Sequence, residues 1–123
     1  MAELMSFLSR IFGKRPAERL PEHAVIVRFG YGRTDLQPIF QLENELQAAI
    51  AKAGAGEYDG NEVATDGSDG TLYMYGPDAD VLFAVVRPIL ERSNFMRGAR
   101  VQVRYGPPAA GVREANHVLG QEH

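Results

Sequence analysis

The chain has 123 residues, 45% hydrophobic and 24% charged, which is the balance of a globular domain with one core and not that of a disordered chain. With 13 basic residues against 16 acidic, the net charge of -3 argues against a domain held to nucleic acid by bulk positive charge. The absence of cysteine excludes disulfides, thiolate metal sites, iron-sulfur clusters and cysteine nucleophiles.

No stretch approaches the roughly 20 apolar residues that a bilayer span requires. At the start of the chain Leu4, Met5, Phe7, Leu8, Ile11 and Phe12 recur at helical spacing, while Arg10, Lys14 and Arg15 take other positions. A secretory signal would place its positive charge before a continuous apolar core, and here the charge follows a broken one. The pattern predicts an amphipathic helix ending at Gly13 in a cytoplasmic protein, docked on its own domain or on a neighbouring subunit. Reversible membrane-surface contact through residues 1-15 is the rival reading. Pro16 and Pro21 bracket a linker, so residues 1-22 stand apart from a domain over 23-107.

From His23 to Tyr31, Val25, Val27 and Phe29 alternate with Ile26 and Arg28, which predicts a strand closed by Gly30 and Gly32. A helix follows: Thr34 or Asp35 caps it, Pro38 fits its first turn, and Leu36, Ile39, Phe40, Leu46, Ala49 and Ile50 form its apolar stripe up to Gly54. Glu57 to Ala64 reads as a polar, broken strand. The turn residues Asp66-Gly67-Ser68-Asp69-Gly70 join it to a second alternating run, Thr71 to Tyr75, as a hairpin. Asp78 then caps a helix whose face is Leu82, Val85, Val86, Ile89 and Leu90, with Pro88 expected to kink or divide it. Ala99 to Tyr105 is the last expected strand, and residues 108-123, small and polar, read as a disordered tail.

The order β-α-β-β-α-β predicts an α+β, ferredoxin-like plait: a four-stranded antiparallel sheet in the order 4-1-3-2 with two helices on one face. Alternation turns Val25, Val27, Phe29, Leu72, Met74, Val101 and Val103 toward the helices, and Arg28, Tyr73, Tyr75, Arg100, Gln102 and Arg104 away from them. The runs Tyr58-Asp59-Gly60-Asn61-Glu62, Leu72-Tyr73-Met74-Tyr75-Gly76-Pro77-Asp78-Ala79-Asp80 and Arg104-Tyr105-Gly106-Pro107 resemble a group of small uncharacterised bacterial proteins with this plait. The resemblance spans about residues 24-107. It implies the plait and a bacterial source, and brings no catalytic residue with it.

Between Lys52 and Arg87 the chain has no basic residue, and Glu57, Asp59, Glu62, Asp66, Asp69, Asp78 and Asp80 make it acidic. Turns and helix capping account for Asp66, Asp69, Asp78 and Asp80. Glu57, Asp59 and Glu62 remain, on an expected edge strand where charge also blocks stray pairing. Asp59, Asn61 and Glu62 resemble calcium-loop spacing only loosely, because the expected glycine and the distal bidentate Glu are not at the required offsets. Residues 87-104 reverse the sign with Arg87, Arg92, Arg97, Arg100 and Arg104 against Glu91, so basic and acidic strands are expected at opposite sheet edges. Gly30 to Asp35 opens a helix as anion-binding loops do, but Asp35 stands where a dinucleotide fingerprint has its third glycine. His23, His117 and His123 are too dispersed for a triad or a ligand set, and read as solvated.

No catalytic, metal or cofactor set is expected, and the domain reads as non-enzymatic. The expected binding residues are Arg28, Tyr73, Tyr75, Arg100, Gln102 and Arg104 on the open face, with Glu57, Asp59 and Glu62 on the hairpin. Tyr and Arg are the anchors of protein interfaces, so a protein partner or homodimer is expected. Single-stranded RNA on the same face and a small-ligand sensor using Gly30 to Asp35 are the alternatives; RNA is disfavoured by the net charge and by the missing basic-Gly-aromatic octamer.

Overall fold

The computed structural model describes residues 22-120. The expected N-terminal helix, its membrane-contact alternative and His123 lie outside them. In chain order the elements are β1 (His23–Gly30), α1 (Gln37–Ala53), β2 (Glu57–Val63), β3 (Asp69–Gly76), α2 (Ala79–Arg92), a 3-10 turn (Asn94–Met96), β4 (Arg100–Arg104) and β5 (Glu114–Val118).

Each helix forms where the sequence supplies a stripe and a start. Along α1, Ile39, Leu42, Leu46 and Ile50 are buried at three- and four-residue intervals. The Asp35 carboxylate accepts the Gln37 N-H at 3.1 Å, and left-handed Gly54 ends the helix. In α2 the Asp78 side chain accepts from the N-H groups of Asp80 and Val81. Pro88 does not divide the helix, which runs on to Arg92. The carbonyl that a proline here deprives of its donor is that of Ala84, on the exposed side of the helix, where losing the bond costs least. Beneath the two helices lie Val25, Val27, Phe29, Leu72, Met74, Val101 and Val103, all in the buried core.

The expected four-stranded sheet is a five-stranded one, fully antiparallel, in the order β2-β3-β1-β4-β5. The supposed disordered tail supplies the fifth strand, which returns through Gly106-Gly111 and pairs Glu114 with Arg104 through to Val118 with Arg100. Its own residues alternate too weakly in polarity to signal a strand, and the anchoring side chain lies just beyond it. That residue, Leu119, is 1% exposed in the core, and its N-H donates to the Ala99 carbonyl at 2.9 Å. His117, expected to be solvated, stacks on Phe83 with ring centroids 4.8 Å apart. His23 is half-buried and engaged as well: its Nδ1 accepts the Ala79 N-H at 3.0 Å and so helps to cap α2.

If the C-terminal strand is a structural part of the domain, Leu119→Ala should cost about 2–4 kcal/mol of unfolding free energy, as buried Leu→Ala changes do. Exposed Asn116→Ala should cost under about 0.5 kcal/mol. Equilibrium urea unfolding compares the two, and equal midpoints would return the tail to a passive role.

Candidate functional site: the helix-free sheet face

Both helices lie on one side of the sheet, and among the described residues no helix crosses the other side. Residues paired across antiparallel strands share a face, so the register writes this surface as three rows. One row runs Glu57, Tyr75, Ala24, Arg104, Glu114; the next Gly60, Tyr73, Ile26, Gln102, Asn116; the third Glu62, Thr71, Arg28, Arg100, Val118. The six residues expected on the open face therefore do share it, but they are not equivalent.

Arg28 and Arg100 are register partners and both are exposed. They line a shallow cleft of about 440 Å³ at the end of the sheet, together with Phe29, Gly30, Asp69, Gly70, Thr71 and Gly98. Arg28 is oriented by a polar chain across three strands: its Nη1 donates to Gln102 Oε1 at 3.1 Å, and Gln102 Nε2 donates to Glu114 Oε2 at 3.0 Å. Tyr73 is half-buried, and its hydroxyl donates to Glu62 Oε1 at 2.7 Å. That bond to a carboxylate, with burial and the charge of Glu62 itself, raises the phenol pKa above its ordinary value, while Arg28 acts in the opposite direction. Tyr75 is half-buried between Ala24 and Glu57 in its row.

Arg104 is the exception. It is 8% exposed, and its Nε donates to the Gly106 carbonyl at 2.6 Å, holding the turn that sends the chain back into β5. It is a structural residue, and the expectation that it joins a contact surface is corrected. The expectation of a basic edge strand goes with it, because β5 covers β4 and carries Glu114 at the new edge.

On the hairpin, Glu57 and Glu62 flank the open face from β2, and Asp59 sits at a bulge between Tyr58 and Gly60. The three expected acidic residues thus share a strand without converging on a point. On the helix side of the same strand lies a cluster that sequence reasoning missed. Glu43 of α1 accepts from the Tyr58 hydroxyl at 2.6 Å and from Asn61 Nδ2 at 2.5 Å, tying helix to strand. Burial first, then this carboxylate, pushes the Tyr58 pKa far up. No spacing links Glu43 to Asn61 in the sequence, so only the fold could reveal the trio.

In the Gly30 to Asp35 loop the first two N-H groups after β1 are already engaged. Tyr31 N-H goes to the Ser68 carbonyl at 2.9 Å and Gly32 N-H to the Gly67 carbonyl at 2.6 Å, docking the loop on the β2-β3 turn. Gly67 is required there: its φ is +75°, and a Cβ would stand 2.0 Å from the Arg33 carbonyl oxygen. Among the described residues no group of three or more His, Asp or Glu side chains is placed to hold a metal ion, and no helix is long and apolar enough to cross a membrane.

No protein-family model, curated protein or solved structure matches this chain.

The Tyr58 environment has a pH signature. The unfolded phenol ionises near its ordinary value of 10.0, whereas the folded one stays neutral well above it. Stability from this group is therefore complete below about pH 10 and falls as pH rises further, by up to about 1.4 kcal/mol per pH unit. Tyr58→Phe should cost about 1 kcal/mol at neutral pH and flatten the alkaline decline. Urea unfolding at stepped alkaline pH, read with tyrosinate absorbance, checks both; an equal decline in the variant would show that Tyr58 is not its source.

Proposed function

We propose that the domain is a non-enzymatic, cytoplasmic regulatory module that recognises one protein partner on its helix-free sheet face. Arg28 and Arg100 take carboxylates of the partner, and Thr71 and the ring of Tyr73 supply the adjoining contact. One observation carries this reading: Arg28 and Arg100, both exposed, are register partners across β1 and β4 and line one cleft, and the Arg28 guanidinium is held by Gln102. Like charges directly opposed destabilise a strand pair by roughly 0.2–1 kcal/mol, a cost that an acidic ligand between them relieves.

A protein suits the face better than RNA does. Glu62 sits beside the Tyr73 hydroxyl and Glu114 beside Gln102, so carboxylates bracket the basic centre on both sides. These repel a continuous phosphate chain, whereas a partner of mixed charge can match them.

Affinity capture with the full chain tests the proposal. The partner should be retained by the wild type and by an Arg97→Ala control, and its affinity for the Arg28→Ala/Arg100→Ala double variant should fall at least about tenfold. The double variant should melt no lower than the wild type, since a like-charge pair is removed. Salt-sensitive retention of single-stranded RNA, lost in the same variant, would replace this reading. Equal protein capture by wild type and double variant would end it.

A further inference from the structure

The two edges of the sheet are built differently. β2 is bulged at Tyr58/Gly60 and carries Glu57, Asp59 and Glu62, features that discourage another strand from adding to it. β5 has an unbroken register with β4, carries the single acid Glu114, and among the described residues has no strand on its outer side.

The hydrogen-bond pattern says which backbone groups that outer side presents. The Tyr105 N-H donates to the Arg113 carbonyl and the Leu119 N-H to the Ala99 carbonyl, so residues 113 and 119 turn their backbone groups toward β4. By antiparallel alternation Ala115 and His117 do likewise, and Glu114, Asn116 and Val118 direct N-H and C=O outward. In an edge strand these are a template for a further strand.

We propose that β5 pairs with β5 of a second copy of this chain, antiparallel, about a two-fold axis at Asn116. This register matches every outward residue: Asn116 meets the second copy's Asn116, and Glu114 meets the second copy's Val118. It forms about six inter-chain main-chain hydrogen bonds. Registers centred on Ala115 or His117 leave one outward residue of the strand unmatched. The charges also favour the Asn116 register. No acid faces an acid, and the second copy's Glu114 comes two strand spacings, about 10 Å, from Arg100, within reach of two long side chains. Val118, 39% exposed in the single chain, is covered by the stem of that glutamate. The interface is isologous, the usual form of a closed homodimer.

The pairing goes beyond the partner-binding reading and does not depend on it. It does change the presentation of that face. A two-fold axis normal to the sheet sets both helix-free faces on the same side, so a dimer offers two Arg28–Arg100 pairs to one partner, with the avidity that follows.

Sedimentation of the full chain over a concentration series should show reversible dimerisation. Asn116→Pro removes an outward N-H without touching a β4 bond and leaves the exposed edge able to fold, so it should give a monomer with a cooperative melt. Asn116→Cys, in a chain with no cysteine, should cross-link rapidly under mild oxidant, because hydrogen-bonded partners lie about 5.5 Å apart at Cα, within disulfide range. Gln47→Cys, exposed on α1, should not. A wild type that stays monomeric at every concentration, a folded Asn116→Pro variant that still dimerises, or equal cross-linking at both cysteine positions would each overturn the pairing. Should Asn116→Pro fail to melt cooperatively, the cross-linking comparison decides. Arg28→Ala, which removes one guanidinium of the partner-binding face and leaves Arg100 beside the second copy's Glu114, should leave the dimer intact, which separates failure of this proposal from failure of the partner-binding one.

Discussion

Everything on the helix-free face depends on the position of β1 in the middle of the sheet, paired with β3 on one side and β4 on the other. Its odd-numbered residues Val25, Val27 and Phe29 are core, and its even-numbered residues set the rows of the face, with Ile26 between Tyr73 and Gln102 and Arg28 between Thr71 and Arg100. A slip of one residue in either pairing would turn the apolar set outward and bring Arg28 into the core. Burial of the three large apolar side chains therefore specifies the register, and the register specifies which cations meet.

The same pairing explains why the polar side chains of the face are ordered. Arg28, Gln102 and Glu114 lie on β1, β4 and β5 and are joined by hydrogen bonds, and Glu62 and Tyr73 join β2 to β3 at the other side. Each exposed bond contributes little alone. Together they fix one guanidinium while its neighbour Arg100 stays exposed. Of the acidic residues counted in the sequence as a patch, Glu62 is an acceptor on this face, whereas Asp66 and Asp78 accept backbone N-H groups in a turn and a helix cap.

The edges show a division of roles that follows from the backbone. The bulge and carboxylates of β2 protect one side. On the other, Arg104 and Leu119 hold β5 in place from within, one through the Gly106 carbonyl and the other through the core, and leave its outer hydrogen-bonding groups available. The exposed ion pairs Arg87–Glu91 and Arg92–Glu45 add little to any of this, because solvent screens them.

Period-two alternation in Val25 to Phe29, Leu72 to Tyr75 and Val101 to Val103, the helical stripes, and the turn chemistry at Asp66-Gly70 and Asp78 were enough to place the first four strands, both described helices and, on the helix-free face, Arg28, Tyr73, Tyr75, Arg100 and Gln102, because those signals are local. What only the tertiary structure decided has a common cause: it rests on contacts between residues far apart in the chain. β5 is a strand because Leu119 enters a core built by other elements and β4 offers a free edge, although its own five residues carry almost no apolar pattern. Arg104 is buried because the chain turns back over it, Glu43 meets Tyr58 and Asn61 because α1 lies along β2, and His23 caps a helix that begins 56 residues later.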